Sequence, residues 1–208
     1  MEKLITTKQK LINVTEQLLE SNGVARLTTR MIAREAGVAE GLIYHYFKDK
    51  AELIHEVIEQ HINDIRDAVE KLPASIGLNT VAENLENMMI ITYKVQYSIA
   101  PLASSAFADN GIRERMREII KLKDIGPKKE IEGIAIYLSA EQRLGRVNRD
   151  INPDMAARIL VAYSLRSGMN DWFLGLDPDR HEAEMELKGV IQTLMRGLEP
   201  KDENSHKE

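Results

Sequence analysis

Between Leu27 and Leu53 the sequence reads LTTRMIAREAGVAEGLIYHYFKDKAEL, two short helical patterns set on either side of one glycine. Leu27 and Ile32 hold the two positions of a hydrophobic staple around a Thr28 cap, so the first helix begins there. Gly37 stops it, because glycine takes a positive φ at little cost and lets the chain turn sharply. The second helix runs from about Glu40 to Phe47. Ala33 is small where two helices cross at close range, and Ile32, Val38 and Ile43 supply apolar contacts that lock the pair at a fixed angle. Glu40, Gly41, Leu42, Tyr44, His45 and Tyr46 are then left to face outward. Such a row of aromatic and imidazole groups, followed by Lys48 and Lys50, makes poor core and a suitable surface for phosphates and a groove.

The remaining sequence also reads as helix nearly throughout. Thr7 is expected to cap a first helix that ends at Asn22-Gly23. Leu53, Val57, Ile62, Ile65, Val69 and Leu72 form the stripe of a long helix that Pro73 ends, with a linker to Asn79. Thr80 to Glu83 is a capping box. The apolar positions after it recur around most of the circumference, which predicts a central helix broken by Pro101. Further helices are expected around Ile112 to Leu122, Pro127 to Leu144, Asn152 to Gly175 and His181 to Leu198. Ile134 to Leu138 alone would suit a strand, but it lies inside a helical pattern.

Composition narrows the function classes. There are no cysteines, which excludes disulfides, thiol catalysis and thiolate metal sites. No apolar run approaches the roughly 18 residues a membrane span needs. The polar start lacks a signal-peptide pattern, so a cytoplasmic location is expected. The net charge is −5, yet residues 1–50 carry eight Lys or Arg against six Asp or Glu. A mildly basic module on an acidic body suits a nucleic-acid contact at one end.

The string T-x-x-x-I-A-x-x-A-G-V-x-x-G-x-I-Y-x-Y-F-x-x-K-x-x-L from Thr28 to Leu53 resembles the N-terminal domain of the TetR family of regulators. The resemblance implies an all-α fold of about nine helices. Residues 1–50 would be a helix-turn-helix domain and 51–73 a connecting helix. Residues 74–198 would bind ligand and dimerise; separately, the polar composition of the end of the sequence leads us to expect a disordered tail over 199–208. The resemblance also implies that Thr28, Thr29 and Arg30 touch phosphates, helped by the N–H groups of a helix start. Glu40, Gly41 and Leu42 would approach base edges, and Tyr44, His45, Tyr46, Lys48 and Lys50 would meet the backbone, His45 also reaching a base. Glu40 is unusual there. It could accept from cytosine N4, point at solvent or pair with Lys48.

For the body, the resemblance implies an unknown small-molecule effector and a homodimer formed by the last two helices, on a palindromic double-stranded operator. Ala157, Val161, Ser164 and Gly168 form a small-residue face of the penultimate helix, and Leu187, Val190, Ile191 and Leu194 a stripe on the last, which could make the seam or pack within the chain. Met89, Tyr93, Tyr97, Phe107, Tyr137 and Tyr163 are candidate pocket residues that equally suit plain core. Arg166 and Asn170 would be a buried polar pair for an anionic ligand group or for a nearby acid such as Asp171 or Glu141. Enzyme readings have little support. Glu52-x-x-His55 has the spacing of half a metal site, without a second copy, and no phosphate loop or nucleophile elbow occurs. No cofactor or metal and no membrane partner is expected. The different-class alternative is a ligand-binding or adaptor protein whose helix-turn-helix no longer binds DNA.

Overall fold

The computed structural model describes residues 6–123 and 126–198; among these it contains nine α-helices, a 3-10 turn and no strand. The helices are α1 (Thr7–Asn22), α2 (Thr29–Ala36), α3 (Gly41–Tyr46), α4 (Lys50–Lys71), α5 (Val81–Ala108), α6 (Asn110–Lys123), α7 (Pro127–Arg143), α8 (Pro153–Phe173) and α9 (His181–Leu198). The 3-10 turn, Leu72–Ser75, follows α4. The tail from 199 lies outside the described residues. No described helix is long and apolar enough to cross a membrane.

Local chemistry explains most boundaries. Thr6, not Thr7, caps α1, its hydroxyl accepting from the Gln9 amide at 3.2 Å. At α5 the Thr80 hydroxyl accepts from the Glu83 amide at 3.1 Å, and the Glu83 carboxylate accepts from the Thr80 amide at 2.8 Å. Asn152 caps α8, with Pro153 in its first turn. Pro101 does not break α5, which continues to Ala108. An internal proline removes one N–H and crowds the preceding turn, and here neighbouring Leu102, 1% exposed, is anchored in a core that holds the helix together. The Ile134 to Leu138 run lies inside α7.

The described chain divides into two compact units. The first holds residues 6–63 and 99–123. Its core joins Leu11, Leu27, Ile32, Ile43 and Phe47 to Leu53 and Val57 of α4, and also to Leu102, Ile112 and Met116. The end of α5 and α6 therefore pack with the helix-turn-helix, an association that no sequence pattern signalled. The second unit holds residues 64–98 and 126–198. Leu85, Met89 and Tyr93 of α5 pack there with Tyr137 and Leu138 of α7, Leu160 of α8, and Leu187 and Ile191 of α9. At Gly168 a β-carbon would stand 2.6 Å from the Tyr93 carbonyl oxygen, so only glycine lets α8 approach α5 this closely.

Candidate nucleic-acid interface

The first unit presents a fixed outward helix. The Thr28 hydroxyl accepts from the Met31 amide at 3.2 Å and starts α2. Gly37 ends it in the left-handed region, φ +66°, with its N–H bonded to the Arg34 carbonyl and that of Val38 to Ala33. Ala33, Ala36 and Ile43 are buried, and Ile43 is the buried residue of α3. The rest of α3 faces outward. Tyr44 is 56% exposed and Tyr46 38%; His45 is exposed and meets the Tyr46 ring edge to face at 5.0 Å. Phe47 belongs to the core, with the Lys8 ammonium 5.6 Å from its ring centroid.

Polar contacts set the edges of this face. The Thr29 hydroxyl donates to the Glu40 carboxylate at 2.6 Å and lies 3.5 Å from the Tyr44 hydroxyl. Glu40 thus ties the start of α3 to the start of α2, rather than reaching Lys48. Arg30, Gly41 and Lys48 are exposed, and Leu42 is half-buried. The Lys50 ammonium donates to the Leu27 carbonyl at 3.0 Å. One of its three hydrogens is thereby used, and the α4 start is tied to the loop before α2.

Two groups at this turn were not anticipated from sequence. Asp49 caps α4, one carboxylate oxygen accepting from the Glu52 amide at 2.8 Å and the other from the Arg115 guanidinium of α6 at 2.8 Å. Partial burial opposes the charge, but the Glu52 amide and Arg115 together hold the Asp49 carboxyl below its ordinary value. Asp49-x-x-Glu52 is itself a capping signal; nothing in the sequence pointed to Arg115.

In the second unit the candidate pocket residues are largely spent inside the chain. Met89, Tyr93 and Tyr137 are buried in one core, with Tyr163 packed partly against it. The Tyr93 hydroxyl donates to Asp171 at 2.9 Å, that of Tyr97 to the Leu176 carbonyl at 2.7 Å, and Tyr137 oxygen accepts from Asn84 at 2.9 Å. Asn170 donates to Asp171 at 3.3 Å. Arg166 is exposed, which corrects the expectation of a buried guanidinium; Arg180 instead meets Asp171, at 2.8 Å. The Phe107 side chain lies outside the described residues. Glu130 of α7 is buried and hydrogen-bonded to Thr92, a site the sequence reading passed over. Among the described residues no three potential metal ligands converge.

The small-residue face on the penultimate helix packs within the chain. Ala157, Val161, Ser164 and Gly168 are buried within the single chain, Gly168 against α5. Leu187 and Ile191 are likewise core, with Val190 and Leu194 packed against them. The exposed apolar side chains are others: Met155, Ile159 and Phe173 of α8, and Met185 of α9.

Residues 11–57 match the family described as bacterial regulatory proteins, tetR family. An HTH-type transcriptional regulator BetI from Stenotrophomonas maltophilia is 33% identical over 70 residues, 34% of this chain and 36% of that protein. The match thus covers well under half of the relative's length. A TetR-family transcriptional regulator from Mesorhizobium loti superposes with a TM-score of 0.73 at 17% identity, over 93% of this chain and 96% of the other. NalD of Pseudomonas aeruginosa, the secondary repressor of the MexAB-OprM multidrug efflux pump, gives 0.72 at 20% identity, over 93% and 97%. A SmeT–triclosan complex gives 0.68 at 20% identity, over 95% and 93%. At these identities the structural likeness is one of fold.

Proposed function

We propose that this chain, whose residues 11–57 match the tetR family of bacterial regulatory proteins, is a transcriptional repressor that binds a palindromic operator as a homodimer and is released by a small-molecule effector. The observation that carries the reading is the outward face of α3, where Tyr44, His45 and Tyr46 stand exposed while Ile43 alone is buried. A recognition helix enters the major groove by its N-terminal residues. Glu40, Gly41 and Leu42 are therefore assigned to base edges, with His45 beside them. Tyr44, Tyr46, Lys48 and Lys50 are assigned to the backbone, as are Thr28, Thr29 and Arg30 at the start of α2.

Two such helices read one face of a palindrome when they stand about 34–36 Å apart. Met155, Ile159, Phe173 and Met185, exposed on α8 and α9, supply the apolar surface for that pairing. The effector acts on the α5, α7 and α8 core. Support comes from SmeT, which holds triclosan, and from NalD, which is a repressor. Both α4 and α5 run from one compact unit into the other, so a change in the body has covalent routes to the DNA-binding end. A coupling of about 1–3 kcal/mol gives 5- to 150-fold release.

A gel shift against the DNA upstream of its own coding sequence tests the reading. The expected result is a discrete, salt-sensitive complex containing two chains. Absence of any shift at low salt would instead favour an adaptor or ligand-binding role.

A further inference from the structure

Asp49 lies between Lys48 and Lys50, at the turn assigned above to phosphates, and its side chain is 36% exposed. An uncompensated carboxylate there lies well within the ~8 Å Debye length of the phosphates its neighbours touch, and it would repel them. The only cation that the described contacts bring to Asp49 is Arg115, with Nε 2.8 Å from Oδ2. Arg115 is held in place from below. Ile112 and Met116, on either side of it in α6, are each 6% exposed in the core that contains α2 and α3. Its Nη1 is occupied as well, by Glu118 at 2.8 Å. The remaining Asp49 oxygen caps α4 through the Glu52 amide, and the Glu52 carboxylate accepts from the Lys48 amide at 2.6 Å. A chain of contacts therefore runs from α6 through the cap of α4 to the backbone of the Lys48–Lys50 turn.

We propose that Arg115 is a positioning residue for DNA binding, acting through Asp49: it neutralises that carboxylate beside the operator backbone and fixes the turn that carries Lys48 and Lys50. The assignment rests on the DNA-binding reading. It places a determinant of operator affinity more than sixty residues from the recognition motif, on a helix whose sequence reads as body.

The experiment measures affinity of the full chain for its upstream DNA in four forms: unaltered, Arg115→Gln, Arg115→Lys, and Asp49→Asn with Arg115→Gln. Arg115→Gln is expected to weaken binding about tenfold for a dimer, since each of two uncovered carboxylates opposes the complex by an amount typical of an exposed ion pair. Arg115→Lys should recover part of the loss. The double variant should recover most of it, because Asn keeps the cap while removing the charge. A merely structural or directly phosphate-bound Arg115 would leave the double variant as weak as Arg115→Gln. That result, or unchanged affinity in Arg115→Gln, overturns the inference while leaving DNA binding intact. Failure of the unaltered chain to bind removes both.

Discussion

At the start of α3 an acidic side chain stands where a polyanion is expected. A carboxylate only accepts hydrogen bonds, and one oxygen of Glu40 already accepts from Thr29 at 2.6 Å. The other is left for a donor, and in the major groove the matching donor is the N4 amine of cytosine. Thr29 therefore holds one oxygen of Glu40, while Thr28 starts α2. Selection from random duplexes should recover a C·G pair at one position of each half-site. Glu40→Gln should move that preference toward adenine, whose N6 and N7 suit an amide, with a change of about 1–3 kcal/mol at that pair. An identical selected sequence from both proteins would show that Glu40 is only a tie between helices. Lys50, assigned above to the DNA backbone, also holds the Leu27 carbonyl, so removing it would break that bond.

At the level of helices, local signals were legible and long-range packing was not. The Thr28 cap, the Gly37 turn and the Thr80–Glu83 box lie within a few residues of the boundaries they set, so sequence suffices to place them. The faces of α8 and α9 stayed open between seam and core because a stripe of small or apolar residues does not say which helix covers it. Gly168 faces α5 of its own chain, and Leu187 and Ile191 face the same core. Glu130 was missed because one acid among Lys128, Lys129 and Glu132 looks like a solvated face. Its position between α7 and α5 has a titration consequence. The Thr92 hydroxyl has one proton but two acceptors within reach, the Met88 carbonyl at 3.0 Å and the Glu130 carboxyl. All three groups are satisfied when Glu130 is protonated, donating to Thr92, which donates to Met88. Burial pushes the Glu130 carboxyl up to about 7, against the Thr92 bond, which lowers it. The folded chain then holds a proton that the unfolded chain releases near the ordinary value of 4.5. This stabilisation is complete below that value and is lost as pH rises to about 7, an amount on the order of 3 kcal/mol. Denaturant unfolding across this range should show Glu130→Gln losing that slope and exceeding the unaltered protein in stability at pH 8. Parallel pH profiles for the two proteins would mean that Glu130 is ionised in the fold.

For the whole molecule, the division into two units does not follow the order of the chain. α6 and the end of α5 join the helix-turn-helix, while the end of α4 joins the body. Neither unit is built from one continuous stretch. Everything nevertheless depends on α3 standing free in the unbound protein and becoming covered on DNA. Tyrosine nitration, read peptide by peptide, reports this directly. Without DNA, Tyr44 and Tyr46 should react while buried Tyr93 and Tyr137 do not. With saturating upstream DNA, Tyr44 and Tyr46 should become protected. Inert Tyr44 and Tyr46 in the free protein, or equal reactivity with DNA bound, would contradict the account.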